Sequence, residues 1–314
     1  SAQERYSFKG TFEGNNHTIS NLYINGTTQF QGLFGITEVG KIQNLKISGN
    51  VYSTSANVGL VVGYSTSDLY NIITLEGSTV GGKNLNIGGI CGNISNAEIE
   101  QCGNNAVVTA NSGSYNTDIY NVGGIVGYTN TGTTIKGCYN KANITSNRYH
   151  VGGIVGGTYN TTIIGCYNTA YIKSGAKSVA GIGGNIHLTT IRYCYNSGEI
   201  KNELINANGN DYQGWASGIS GYSANTSMVE YCYNIGNIVG TGKLIGGIVG
   251  ENDSYKDGSY STTTASTIQY CYNKGNVSSD RIGVGGIAGR NFKYSIIRNS
   301  YCLSTVTLTG PNNV

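Results

Sequence analysis

Residues that could carry acid, base or metal chemistry are few and scattered in this sequence. The three histidines, His17, His150 and His187, lie far apart and form no triad or metal-binding motif. Enzymes that cleave polysaccharides need clustered carboxylates, either as general acid and base or as ligands of calcium. No DxD or DD pair occurs among the six aspartates, which are Asp68, Asp118, Asp211, Asp253, Asp257 and Asp280. We therefore expect a non-catalytic protein, with a carbohydrate-active enzyme as the alternative.

One local group of carboxylates, Glu251, Asp253 and Asp257, could bind calcium through its oxygens. The spacing of the three residues matches no known calcium-binding loop, and a solvated loop is the simpler interpretation. We expect no cofactor, with calcium as the one candidate.

The aromatic residues are more regular than the charged ones. A tyrosine follows a cysteine at Tyr139, Tyr167, Tyr195, Tyr233 and Tyr272, and Tyr301 extends the series. A second, shorter series consists of Tyr193, Tyr231 and Tyr270. If the cysteines point inward, the tyrosines that follow them point outward and form a row on one face. Such a row either stabilises a sheet by ring contacts or offers a surface to a sugar or a protein.

These positions recur because the sequence itself repeats. A segment of the type GGIVG occurs nine times, with its second residue at positions 32, 60, 89, 124, 153, 181, 218, 247 and 286, and the basic period is 28–29 residues. The segments between are short, β-branched and broken by Gly, Asn and Thr, which predicts three short strands per repeat and no helices. We predict an all-β fold, a right-handed parallel β-helix of about nine coils.

Each column of the repeat then has a predicted place. The residue after the marker is apolar in every copy, from Leu33 to Ile287, and is expected in the core. The cysteines recur once per coil with no CxxC pair, which predicts a stack of buried thiols and neither disulfides nor zinc. The asparagine of each CYN is expected to bond its neighbour in the next coil and so form a ladder.

Three insertions interrupt the repeat, at residues 111–121, 203–217 and 251–266. Loops on a rigid scaffold often carry recognition, so their aromatic residues are the main candidates for ligand contacts. These candidates are Tyr115, Tyr120, Tyr212, Trp215, Tyr255 and Tyr260. We expect the insertions to bracket the glycine-rich face of the coils. Neutral surface insertions, which a solenoid tolerates well, are the alternative.

Composition narrows the range of partners. The net charge is +3 with no run of Lys or Arg, which disfavours nucleic-acid binding, and no apolar stretch is long enough to span a membrane. We expect one domain over residues 1–314, with a lead-in or cap at 1–31, repeats at 32–305 and a linker at 306–314.

The segments GLFG, GGIVG and I-x-x-CYN-x-G-x-I resemble the GLUG-motif repeats of bacterial surface and secreted proteins, and the opening FKGTFEGNNHTISNLYI resembles their lead-in. Such repeats occur in large cell-wall-anchored adhesin-like proteins and beside the catalytic domain of immunoglobulin-A-cleaving metallopeptidases. The peptidases need an HExxH motif, and none of the three histidines is followed by Glu.

The resemblance implies an extracellular, non-catalytic adhesive or stalk module on the surface of a bacterium or in its cell wall. Its partners would be a host glycan or a host surface protein, together with neighbouring domains of a larger chain. A carbohydrate-binding module and an accessory domain of a secreted protease are the alternatives.

Overall fold

The chain winds into a stack of parallel coils. The computed structural model describes residues 6–111, 120–147, 149–175, 177–203, 214–256, 259–260 and 262–309. Strands at the same place in successive coils pair in parallel, and together they form one sheet of 34 strands and a second of 7 strands. The architecture is the predicted right-handed parallel β-helix.

Each regular coil contains five short strands, where the sequence pattern predicts three. One such coil consists of Asn121–Gly123, Val126–Asn130, Thr133–Lys136, Tyr139–Asn140 and Ile144–Ser146. The predicted GGIVGY strand is split by a bend at residues 124–125, and the predicted TIKGCYN strand by a turn at 137–138. The turn has a physical cause: Gly137 has φ of 61°, and the equivalent Gly165 and Tyr193 have 63° and 56°. Left-handed backbone cannot continue a strand.

The five strand positions recur along the rod. The first strands are Ile87–Gly88, Asn121–Gly123, His150–Gly152, Ser178–Ala180, Trp215–Ser217, Leu244–Gly246 and Val284–Gly285. The second strands are Val62–Ser65, Cys91–Ser95, Val126–Asn130, Val155–Tyr159, Gly183–His187, Ser220–Ala224, Val249–Asn252 and Ala288–Asn291. The third strands are Asp68–Thr74, Glu98–Glu100, Thr133–Lys136, Thr161–Ile164, Thr190–Arg192, Met228–Glu230, Thr267–Gln269 and Ile296–Arg298.

The fourth and fifth positions complete the coil. The fourth strands are Gly103–Asn104, Tyr139–Asn140, Tyr167–Asn168, Tyr195–Asn196, Tyr233–Asn234, Tyr272–Asn273 and Tyr301–Cys302. The fifth strands are Thr79–Gly82, Val107–Ala110, Ile144–Ser146, Ile172–Ser174, Ile200–Asn202, Ile238–Gly240, Val277–Ser279 and Val306–Leu308. Identical residues face each other along the axis, as in the pairs Tyr139 with Tyr167 and Asn140 with Asn168.

The N-terminal part is less segmented. The strands Phe8–Glu13 and Thr18–Gly26 pair in parallel with the 20-residue strand Phe34–Ser53. The ring of Phe34 lies 5.0 Å from that of Phe8 and 5.3 Å from that of Phe12, so aromatic contacts join this first layer to the stack. Near the other end, Tyr255–Lys256 and Ser259–Tyr260 form a short antiparallel pair, followed by a single 3-10 turn at Thr262–Thr264.

The interior is a set of axial columns, as predicted. The apolar residue after each marker is fully buried from Val61 to Ile248. All eight cysteines are free thiols, and the column from Cys102 to Cys271 is buried. The backbone N–H of Cys138 donates to the sulfur of Cys166 at 3.4 Å, and burial raises the pKa of both thiols well above its usual range.

The asparagine column forms the predicted ladder. From Asn104 through Asn273, each side-chain N–H donates to the side-chain oxygen of the next coil at 2.7–2.8 Å. Hydroxyl groups end the ladder at both sides: Thr74 donates to Asn104 at 2.8 Å, and Ser304 accepts from Asn273 at 2.8 Å. All these amides are fully buried, and each also binds backbone two residues on, so the ladder satisfies the polar groups of the coil at its fourth strand.

Candidate binding groove

A groove follows the corner between the first and second strands of each coil; side chains pack across its middle, and it opens into a cavity near each end. The recurring glycine of the second strand makes it, because this residue touches the first strand of the preceding coil. A Cβ on Gly127 would lie 2.6 Å from the backbone nitrogen of Ile87, and one on Gly156 only 2.3 Å from that of Val122. Only glycine allows this approach, which brings the outer sides of two strands together.

Two rows of side chains form the walls of this groove, which we call the glycine groove. The first wall carries the residue that starts each first strand, or directly precedes it in the first two coils. These residues are Asn57, Asn86, Asn121, His150, Ser178, Trp215 and Leu244. The second wall carries the outward residue of each second strand, namely Tyr64, Asn93, Tyr128, Gly157, Asn185, Tyr222, Glu251 and Arg290.

In the N-terminal half, amides connect the first wall along the axis. Asn86 donates to Asn57 and Asn121 donates to Asn86, each at 2.9 Å. His150 continues this series, since its Nδ1 lies 3.1 Å from the Asn121 side-chain oxygen. Its Nε2 lies 3.0 Å from the amide nitrogen of Asn185 on the opposite wall. The ring therefore donates through Nδ1, accepts through Nε2 and bridges the groove.

The bridging imidazole is held neutral. His150 is 7% exposed, and burial, with the positive charge of Lys177 as a smaller cause, lowers its pKa from 6.5 to about 3. The side-chain oxygens of Asn93 and Asn185, both on the second wall, are buried and have no hydrogen-bond partner among the described residues. The groove thus contains acceptors that the described chain does not itself satisfy.

In the C-terminal half, aromatic rings replace the amides. Trp215 stacks on Tyr222 of the opposite wall, with ring centroids 4.9 Å apart, and the ammonium of Lys177 lies 5.1 Å from the indole. His187 lies 5.6 Å from the Tyr222 ring. The Tyr222 hydroxyl donates to Asp253 at 2.9 Å. Trp215 is therefore a wall residue of the groove and only 8% exposed.

Two of the three candidate calcium ligands, Glu251 and Asp253, lie in this half. Glu251 is buried and accepts from the guanidinium of Arg290, and Asp253 accepts from Tyr222 and from backbone N–H groups of residues 254 and 255. Burial raises the pKa of Glu251, against the lowering effect of Arg290. Asp257 lies outside the described residues. Within the described ranges, no group of three or more His, Cys, Asp or Glu residues is placed to hold a metal ion.

Cavities lie at both ends of the groove. The C-terminal cavity, of about 370 Å³, is lined by Trp215, Leu244, Glu251, Ile282 and Arg290, together with Lys243 and Gly283. The N-terminal cavity, of about 270 Å³, is lined by Phe30, Ile36, Glu38, Asn57, Tyr64 and Asn93. A third, open depression of about 590 Å³ lies on the face of the fifth strands, beside Tyr23 and Tyr52.

The described strands place the three insertions beside the groove. The predicted bounds 111–121, 203–217 and 251–266 were too wide, because they run into the strands Asn121–Gly123, Trp215–Ser217 and Val249–Asn252. The first two insertions therefore enter directly before first strands, and the third follows a second strand. Of the aromatic candidates, Tyr120 is 6% exposed and Tyr255 is 40% exposed. Tyr115 and Tyr212 lie outside the described residues, and of Tyr260 the structure describes the backbone alone.

The outward tyrosines form the predicted rows. Rings of the row from Tyr139 to Tyr301 stack with centroids 5.0–5.5 Å apart, and Tyr193, Tyr231 and Tyr270 stack at 4.9–5.3 Å. Because neighbouring rings cover each other's faces, these rows present ring edges and hydroxyl groups to solvent. Tyr139 begins the longer row, and its ring lies against Gly103 of the preceding coil, where a Cβ would be 2.1 Å from the ring.

Sequence reasoning missed the Glu251–Arg290 pair and the His150–Asn185 bridge. Both partners of each pair fall at groove positions of neighbouring coils. Alignment of the residue that follows the last glycine of GGIVG would have placed Asn185, Glu251 and Arg290 in one column. Tyr and Asn each recur in that column, but Glu251 and Arg290 occur once each, so the ion pair had no repeated residue type as its signal.

Known proteins share parts of this chain. The sequence profile of the GLUG motif matches residues 118–145 and 147–172. Halomucin from Haloquadratum walsbyi is 34% identical over 113 residues, which are 35% of this chain and 1% of halomucin. A candidate immunoglobulin A1 protease from Bacteroides ovatus has a solved structure similar to this one with a TM-score of 0.43 and 19% identity, over 83% of this chain and 68% of that chain. The chain therefore contains GLUG-motif repeats, and it spans about 1% of the length of halomucin.

Proposed function

We propose that this chain is a non-catalytic, extracellular module of a large bacterial surface protein, serving as an adhesive element or as a rigid stalk. The GLUG-motif match and the similarity to a segment of halomucin support a surface protein. The continuity of the axial columns is the observation that supports a rigid stalk. Thiols, amides and aliphatic side chains stack without interruption from the coil of Cys102 to that of Cys271.

Such columns suit a spacer. Among the described residues, the strands of each inner coil are hydrogen-bonded to coils on both sides, which covers their edges. Nine coils at ~4.8 Å per coil give a rod of roughly 43 Å. Only 11% of the residues are charged, so the rod depends little on salt. The described residues contain no helix long and apolar enough to cross a membrane.

The glycine groove supports the adhesive part of the proposal. It is recessed, it contains aromatic and amide side chains, and the insertions enter at both of its walls. Ligand sites in proteins are typically concave and combine apolar surface with a few polar groups. We propose a host glycan or a host surface protein as the partner. If the partner is a glycan, the chain is a carbohydrate-binding module.

A binding screen with the purified chain tests this proposal. Beads coated with the chain are offered a glycan array and a panel of host surface proteins, with and without calcium, and soluble polysaccharides are assayed in parallel for new reducing ends. Specific retention supports the adhesive function. No retention of any glycan or host protein, together with proteolysis confined to the three insertions, supports a stalk. Release of reducing ends would refute the non-catalytic assignment.

A further inference from the structure

The strongest unexplained feature of the groove is a buried carboxylate oxygen. Glu251 is 1% exposed, and its Oε1 accepts from the guanidinium of Arg290. Its Oε2 is buried and has no hydrogen-bond partner among the described residues. A buried charged oxygen without a donor is costly, so the environment calls for a hydrogen-bond donor from outside the described chain.

The C-terminal cavity of the groove lies directly against this carboxylate. Its volume of about 370 Å³ falls within the range of small-molecule sites, roughly 300–1,000 Å³. Apolar surface comes from Trp215, Leu244 and Ile282, and Ile282 is 48% exposed at the rim. The side chain of Arg290 is 46% exposed, so its remaining N–H groups are accessible from solvent.

Charge and hydrogen bonding decide which ligand suits this cavity. Glu251 is already paired with Arg290, and Lys177 also acts on it electrostatically, which removes the attraction for a second cation. Lys243 and Arg290 line the cavity beside this carboxylate, so charge alone does not exclude an anion, but a carboxylate or phosphate group has no hydrogen to donate to the unpartnered Oε2 of Glu251. The chemistry that remains is a neutral ligand with hydroxyl groups, which donate to Glu251 and accept from Arg290, and with C–H surface for the aliphatic and indole groups.

We infer that this cavity binds a neutral sugar residue, with Glu251 as the hydrogen-bond acceptor, Arg290 as the donor and Trp215, Leu244 and Ile282 as the apolar wall. The sugar would be the element recognised by the proposed adhesive module, and to that extent the assignment rests on the proposed function. A single residue in an open cavity has few contacts, so affinity in the millimolar range is expected.

The single tryptophan of the chain provides the assay, because Trp215 lines the cavity. The whole chain is titrated with galactose, mannose and N-acetylglucosamine up to about 50 mM, while indole emission and saturation-transfer NMR are recorded. Sorbitol controls for general polyol effects, and glucosamine and glucuronate test a cation and an anion. A saturable change with at least one neutral sugar, weaker with both charged ones, is the expected result.

Two variants locate the site. Glu251→Ala removes the acceptor and leaves Arg290 in contact with water, and it should weaken binding about tenfold or more, as expected for a hydrogen bond to a charged group. Ile282→Phe narrows the rim without touching the carboxylate and should also weaken binding. The matched control is Glu230→Ala, because Glu230 is a buried partner of Arg192 at 2.8 Å on another face and its two oxygens are both engaged. Its binding should match the unmodified chain.

Each outcome bears on one assignment. No saturable response to any neutral sugar from the folded chain would overturn the inference, as would binding that survives both cavity variants. A response to glucosamine alone would overturn the neutral-ligand assignment. If the array detects a glycan that Glu251→Ala still binds, the cavity assignment fails while the adhesive function stands. If the cavity binds sugars but no host surface retains the chain, the cavity assignment stands and the adhesive function fails.

Discussion

Replacing Asn168 by alanine tests whether the amide ladder holds the rod together. Asn168 lies in the middle of the ladder and is fully buried. Its side-chain nitrogen donates to Asn196 at 2.8 Å and to the carbonyl of Ala170 at 3.0 Å, and its oxygen accepts from Asn140 at 2.8 Å. Its oxygen also accepts from the backbone N–H of Ala170 at 3.4 Å, so the truncation leaves four buried polar groups with one hydrogen bond fewer each.

The expected cost follows from these four groups. A buried donor or acceptor that loses its partner costs about 1–3 kcal/mol, and water that enters the vacated space would recover part of this. We expect Asn168→Ala to lower the free energy of unfolding by about 3–5 kcal/mol. The matched control is Asn143→Ala in the adjacent coil, where the side chain is exposed and the change should stay within about 0.5 kcal/mol.

Urea unfolding followed by circular dichroism measures the difference, provided that the slope is the same in both variants, since a solenoid can unfold in parts. Hydrogen exchange gives a second readout: protection should fall first at Asn140 and Asn196, in the coils on either side. A loss below about 1 kcal/mol, or one equal to that of Asn143→Ala, would refute the reasoning. It would mean that stacked aliphatic columns alone specify the coil.

Three further predictions concern single columns. Burial lowers the pKa of His150 to about 3, so below pH ~6.5 the unfolded chain binds a proton that the folded chain does not. The free energy of unfolding should therefore fall by up to ~1.4 kcal/mol per pH unit between pH ~6.5 and the folded pKa. His150→Asn should remove this part of the pH dependence, as urea titrations at pH 5 and 7 would show. Iodoacetamide at pH 8 should modify one thiol of the native chain, the partly exposed Cys302, and all eight after unfolding, as mass spectrometry would show. Gly124→Ala should lower the free energy of unfolding by more than ~3 kcal/mol, because the new Cβ would lie 2.1 Å from the carbonyl oxygen of Gly153. Gly165→Ala has open space for its Cβ but a φ of 63°, so it should cost about 1 kcal/mol. Thermal unfolding of both variants measures the difference.

The sequence predicts much of this fold because the stacking of like residues is visible as columns of letters. The period fixes the coil, and the repeated CYN predicts the buried thiols, the amide ladder and the stacked rings. The number of strands per coil was harder to predict. Position 137 is Gly in one coil and its equivalent is Tyr193 in another, and the left-handed backbone they share has no single residue type as its signal.

The groove could be predicted only in part. The glycine-rich segment and the place of the insertions are visible in the sequence, and both point to this side of the rod. The orientation of Trp215 was not visible, because the sequence placed it in an insertion and the structure places it at the start of a strand. The pairing of Glu251 with Arg290 spans 39 residues of sequence and depends on the close approach of two walls.

The ends of the amide ladder also bear on how the chain finds its native arrangement. Coils that present the same thiol, ring and amide to their neighbours are nearly interchangeable, so a folding chain that skipped one coil would still satisfy most of its contacts. Thr74 stands in the amide column one coil before Asn104, and Cys302 stands there in the last coil, where Ser304, two residues on, accepts from Asn273 instead. These two exceptions mark the first and last places of the series. The unequal insertions add further differences between coils. Irregularity in an otherwise repetitive rod thus disfavours misregistered states, in which whole coils pair with the wrong neighbour.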